Sequence, residues 1–286
     1  MYKALAPYAI GVSCGSLEEA VAVAAFGGFQ GLEVGIKDIA SRIDRMGLAA
    51  VEDLFGSAGI APAAWGLPTD WRSSDEAWKN DLADLPALAS AAASIGCTRA
   101  ATWILPSSND RPFDLNYRFH VDRFKPIARI LDDNGCSLGL EFIGPKTLRD
   151  SMKYPFVHTI GGMLAMAHEI GPNVGLLLDC WHWYTSHGTL DDLMGLRPEQ
   201  VVYVHVNDAP AGLDVDQQVD DRRSLPGETG VIDITSFLRA LQDIEYNGPV
   251  TPEPFKKELN DLPDDRARVA AVGQSMDRIF RQAGLA

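Results

Sequence analysis

The chain has 286 residues, is 46% hydrophobic and carries a formal net charge of −14. That length buries a large core without covalent staples, and α/β barrels of about 250 residues fold as one domain. No run approaches the roughly 18 apolar residues of a membrane span, and so acidic a surface would repel phosphate backbones, which argues against nucleic-acid partners.

Strand-like and helix-like segments alternate from end to end. The expected strands are 8–13, 31–35, 60–65, 99–104, 137–143, 174–179, 201–207 and 249–253. Helical spacing links Leu17, Val21, Ala24 and Ala25 early in the chain, then Phe124, Ile127, Ala128 and Leu131. It returns in Ile234, Phe237, Leu238 and Leu241, and in Val269, Val272, Met276, Ile279 and Phe280. Gly96, Gly135 and Gly171 stand where helix C-terminal glycines belong. Pro86 is expected to kink or restart the helix within 75–95, and 188–197 is short for a full helix. Eight strand–helix units without a linker predict one α/β domain over 1–286, a (β/α)8 TIM barrel.

Four strand-like runs in the second half end in Glu141, Asp179, His205 and Glu253. Alternate strand residues face opposite ways. Leu138 and Leu140, Leu176 and Leu178, Val202, Val204 and Val206, and Val250 with Pro252 suit the helix-facing side. The four polar residues then share the barrel axis at the C-terminal strand ends, where barrel enzymes keep their sites. Three converging carboxylates, with no arginine on the same faces, would repel one another, and a divalent cation relieves that repulsion. Carboxylate and imidazole ligands favour Mn²⁺ or Mg²⁺ and also admit Zn²⁺, Co²⁺ and Fe²⁺. One ion, Mn²⁺ first among these, is the expected cofactor.

These residues, with the stretches Asp179-Cys-Trp-His182 and His205-Val-Asn-Asp208 and an arginine before Pro226-Gly227, resemble the xylose isomerase-like TIM barrels. That group includes ketose 3-epimerases and inosose isomerases. The resemblance covers nearly the whole chain and is strongest over 137–255. It implies that Glu141, Asp179, His205 and Glu253 bind one metal, and that Glu141 and Glu253 also move protons through an enediolate. It places His182 and an arginine beside the substrate; Arg223 matches the spacing better than Arg222. The acidic loop 209–221 is longer than the family's, and the turn reads Pro-Gly-Glu-Thr-Gly where shorter turns are common. The implied substrate is a small polyhydroxy ketone or keto-sugar, a carbohydrate or cyclitol, and the implied reaction is isomerisation or epimerisation. Dehydration of a keto-cyclitol or keto-sugar is the alternative. An endonuclease IV-like DNA repair enzyme is a remote one, disfavoured by six histidines and the acidic charge. Homo-oligomers are common in the family, and no residue pattern here specifies one.

Further substrate candidates are Lys146, five residues past Glu141, Glu33 at the end of the second strand, and Trp103. Trp65, Trp181 and Trp183 also lie near strand ends and read as core packing or sugar platforms. Asn207 and Asp208 are expected to orient His205 or the following loop. Cys180 reads as packing, and His158, His168 and His187 as structural or surface residues. Cys14, Cys97, Cys136 and Cys180 form no C-x-x-C pair, and the N-terminal stretch lacks the apolar core of a secretory signal. A cytoplasmic location is the expectation.

Overall fold

The computed structural model describes residues 1–285. Eight strands form the wall of a barrel: β1 (Tyr2–Leu5), β2 (Gly31–Glu33), β3 (Ala61–Gly66), β4 (Arg99–Ile104), β5 (Ser137–Phe142), β6 (Val174–Asp179), β7 (Val201–Val206) and β8 (Pro249–Pro252). Every pairing is parallel and follows chain order, and β8 closes on β1 through Tyr2 opposite Pro249. Helices cover the outside, which gives the expected (β/α)8 TIM barrel. A two-stranded antiparallel ribbon, Ser107–Ser108 with Tyr154–Pro155, sits apart from the barrel wall.

The first strand differs from expectation. Residues 7–10 form a 3₁₀ turn, and the strand is Tyr2–Leu5 instead. Pro7 opens the turn with its fixed φ, and Gly11 closes it at φ 71°. The true strand is four residues long, and its last three are buried, so it shows no alternation to read. The helix does not restart at Pro86, because one helix runs Asp75–Ser94. Leu85, Ala89 and Ala92 are buried on both sides of the proline, so tertiary packing offsets the lost backbone hydrogen bond. The short 188–197 segment holds only Leu190–Met194, as expected.

Strand parity follows the predicted split. Leu138, Leu140, Leu176, Leu178, Val204 and Val250 are fully buried against the helical layer. A separate small cluster of Ala64, Ala101, Leu177 and Tyr203 fills the barrel interior. Small residues there let the strands close, and Gly139 is one, since a Cβ would lie 3.0 Å from the Leu177 nitrogen. No helix among the described residues is long and apolar enough to cross a membrane.

Gly175 tests this closure. A Cβ there would stand 2.5 Å from the Gln200 carbonyl oxygen, which belongs to the turn that feeds β7. Gly175→Ala is predicted to destabilise the fold by about 1–3 kcal/mol, read as a lower urea midpoint. An unchanged midpoint would show that the β6–β7 contact is looser than described.

Candidate active site

Glu141, Asp179, His205 and Glu253 converge as expected. One ligand atom from each lies within 4.8 Å of every other, and all four residues are buried. Register explains the convergence. Asp179 stands opposite His205 across β6 and β7, and His205 stands opposite Thr251 across β7 and β8. Glu141 stands opposite Trp103 across β4 and β5. Glu253 follows β8, and its N–H donates to the Val206 carbonyl at 3.0 Å.

Asp179 is fixed from three sides. It caps the short helix Cys180–Thr185, accepting from the Trp181 N–H at 2.8 Å. Its Oδ1 accepts from the Asn207 amide at 3.1 Å, and its Oδ2 from Arg223 at 2.8 Å. Asn207 therefore orients Asp179 and not His205. Asp208 pins the loop, as expected: it accepts from the N–H groups of Ala209, Thr229, Gly230 and Ile232. It also exchanges backbone hydrogen bonds with Ser224, the residue after Arg223.

Among the described residues the strand faces bring no arginine to the carboxylates, but the loop does. Arg223 arrives from the loop, not from a strand, and its Nη1 donates to Asp179 Oδ2 and, at 3.0 Å, to Glu253 Oε2. Its Nη2 donates to Asp220 at 2.9 Å. Asp220 also accepts from Trp181 Nε1 at 3.1 Å, which ties the acidic loop to the site. Sequence reasoning missed Asp220; its only signal was the three-residue offset from Arg223.

His182 lies in the site. Its Nδ1 accepts from the Gly144 N–H at 3.1 Å, and Arg223 Nη2 lies 3.4 Å from its Nε2. Nε2 sits 3.9 Å from Glu141 Oε1 and 4.0 Å from Asp179 Oδ2, facing the space between them. Burial pushes this imidazole below its ordinary value, against the pull of Asp220 and Asp179. Gly144 is required for the approach, because a Cβ would lie 2.3 Å from the His182 carbonyl.

Charge is unevenly shared. Burial, reinforced by the Glu253 charge, raises the Glu141 carboxyl well above its usual range. Burial acts the same way on Glu253, but His205 and Arg223 overcome it and hold that carboxyl down to about 2. Burial opposes a charge on His205, yet Glu253, Glu141 and Asp179 raise it to about 10. Both His205 nitrogens and Glu141 Oε1 are buried without a hydrogen-bond partner. Such orphaned donor atoms, in an oxygen-rich set with one imidazole, fit a divalent cation.

Two adjoining lobes of about 230 and 370 Å³ open above these residues and share Tyr8, Trp103, Glu141 and Glu253. Glu33 borders the smaller lobe and accepts from the Tyr203 hydroxyl at 3.0 Å. Trp103 rims both lobes, 45% exposed. Tyr8 and Phe255, which sequence reasoning passed over, join it at the rim. Two candidates do not reach these lobes. Lys146 pairs with Asp216 of the acidic loop at 3.2 Å, half exposed, because that loop offers a nearer carboxylate. Arg222 borders an outer cavity with Lys256 and Lys257, since its neighbour Arg223 takes the inward position. Trp65 and Trp181 are fully buried, and Trp183 packs on Phe237. Cys180 is packing, with Sγ 3.1 Å from the Asn207 carbonyl.

A closed parallel barrel with a carboxylate–imidazole cluster at its C-terminal mouth defines a TIM barrel with a metal-type centre. The chain belongs to the xylose isomerase-like TIM barrel family, whose pattern matches residues 21–281. It is 28% identical to an inosose isomerase of Halalkalibacterium halodurans over 165 residues, 56% of this chain and 54% of that protein. An L-ribulose 3-epimerase of Methylomonas sp. is 30% identical over 99 residues, 34% of this chain and 30% of that one. The chain thus spans about half the length of the inosose isomerase it matches. The structure of a xylose isomerase domain protein from Alicyclobacillus acidocaldarius superposes with a TM-score of 0.87, at 31% identity, over 99% of both chains.

The raised His205 value has a defined pH signature. Its ion pairing stabilises chelator-treated protein fully below the unfolded imidazole value of about 6.5. That stabilisation is lost as pH rises through about 10. Ring-proton NMR, assigned with His205→Gln, is predicted to give a midpoint near 10. A midpoint near the ordinary value of about 6.5 would contradict the charge distribution.

Proposed function

We propose that the protein is a divalent-metal-dependent isomerase or epimerase of a small polyhydroxy ketone or keto-sugar, of the ketose or inosose type, working through an enediolate. The observation that carries this reading is the convergence of four ligand atoms within 4.8 Å, two of them from glutamates. The isomerase and epimerase relatives support it.

Glu141, Asp179, His205 and Glu253 would hold the ion, and the oxygen-rich set suits Mn²⁺ best. When bound, such an ion polarises a carbonyl and the hydroxyl beside it, which makes the intervening C–H more acidic. The two glutamates then divide the proton transfers. One of them, as a carboxylate, takes the proton from the carbon next to the carbonyl, and the other returns one. Return to the opposite face of the same carbon epimerises; return to the neighbouring carbon isomerises. His182 lies beside the oxygen that gains negative charge, and the Arg223 guanidinium adds a fixed positive charge there. Trp103, Tyr8 and Phe255 rim the cavity and limit access of water. The chain is proposed to act as one domain. Its four free cysteines accord with a cytoplasmic setting.

Incubation of the Mn²⁺-supplemented protein with a panel of ketoses and inososes in D₂O tests the reading. Deuterium is predicted to enter recovered substrate or product at carbon next to the carbonyl. Glu141→Gln and Glu253→Gln are each predicted to cut turnover by about 10²–10⁴-fold with an unchanged circular dichroism spectrum. Near-normal turnover in both variants would remove the proton-transfer assignment, and loss of water from the substrate would redirect it to elimination.

A further inference from the structure

We propose that a cavity on the far side of Trp103 is a second small-molecule subsite, one that binds the carboxylate of a sugar acid. The cavity measures about 310 Å³ and lies over the loops that follow β3 and β4. It shares Leu105 with the larger lobe of the active-site cavity, so the two adjoin.

Two guanidinium groups border it. The Arg72 guanidinium lies between Trp71 and Trp103, 3.9 Å from each ring centroid. Arg111 lies 3.9 Å from the Phe119 ring. Stacking occupies the faces of a guanidinium and leaves its N–H edge free to bind a carboxylate. One Arg72 N–H goes to the Trp103 carbonyl, which fixes the group in place. Arg42, Arg123 and Arg223 all pair with carboxylates. Arg72 and Arg111 form no such pair among the described residues, although Asp110 borders the same cavity.

The cavity floor carries a second observation. Asn116 is 5% exposed, and its side-chain amide makes no hydrogen bond to the described protein while bordering the cavity. His120 is 4% exposed, and its Nδ1–H donates to the Asn116 carbonyl at 2.7 Å, which leaves Nε2 as an acceptor. Burial and the charges of Arg72 and Arg111 hold this imidazole down to about 4, so it stays neutral. The Asn116 amide and His120 Nε2 are not fully enclosed and open to the cavity. These are matched by a ligand that brings a carboxylate to the two guanidinium edges, a hydroxyl to His120 Nε2, and either donor or acceptor to Asn116. Trp71 supplies an apolar ring surface for the carbon skeleton.

Calorimetric titration of the full-length, Mn²⁺-supplemented protein with D-gluconate and D-glucuronate tests the proposal, with D-glucose and inorganic phosphate as comparison ligands. The acids are predicted to bind at least about tenfold more tightly than D-glucose and than phosphate, the size expected of a charge-assisted contact. Arg72→Gln and Arg111→Gln should each weaken the acids about tenfold, and Glu253→Gln should leave their affinity unchanged. Equal binding of D-glucose, or phosphate binding as tightly as the acids, would overturn the sugar-acid assignment. Unchanged affinity in both arginine variants, or loss of affinity in Glu253→Gln, would place the ligand elsewhere. Deuterium exchange at the carboxylate cluster is independent of each of these results.

Discussion

Three carboxylates buried at one end of a barrel require positive charge, and the upper half of this structure is arranged around that requirement. A carboxylate buried without a partner costs several kcal/mol. Here His205 and Arg223 provide the compensation. Arg223 bridges Asp179 and Glu253, and His205 Nδ1 lies 3.4 Å from Glu253 and 3.7 Å from Glu141. The compensation is incomplete, since Glu141 Oε1 and both His205 nitrogens remain without hydrogen bonds. Glu141 Oε1 and one of the His205 nitrogens are atoms that a cation would engage without displacing the arginine from its other contacts.

The surrounding elements hold the charges in register. Asp208 ties the loop through four backbone N–H groups, so Arg223 is presented by a fixed backbone. Asp179 serves at once as a helix cap and as a member of the cluster, which locks its carboxylate orientation. Gly144 sets the position of His182, through a hydrogen bond and through the absence of a side chain. A site that moves protons between two glutamates depends on such rigidity, because displacements near 1 Å are costly in rate.

Much of this was legible in the sequence because strand parity is a local property. Alternation of leucine and valine with polar residues told which way Glu141, Asp179 and His205 point, and the barrel closed as the βα repeat implied. The first strand was misplaced because a short strand buried through most of its length has no alternation, while Pro7 and Gly11 look permissive until their backbone angles are known. Arg223 was legible as a site residue from its resemblance to family members, but not as the partner of Asp179. Its position depends on loop closure through Asp208, a contact between residues that no periodicity connects. Lys146 and Asn207 went astray for the same reason: the nearest partner in space, Asp216 for one and Asp179 for the other, lies far away in sequence. The arginine-lined cavity beyond Trp103 likewise joins three loop segments and a helix, and carries no motif.

The central claim is that the carboxylate–imidazole cluster is built for one divalent cation. Calorimetric titration of chelator-treated protein with Mn²⁺ at pH 7, in two buffers of different ionisation enthalpy, addresses it most directly. The account predicts one ion per chain and release of at least about one proton, because His205 must give up the proton it holds below about 10. It also predicts affinity that rises with pH toward that value. Absence of binding, or binding without proton release that persists in His205→Gln, would contradict it.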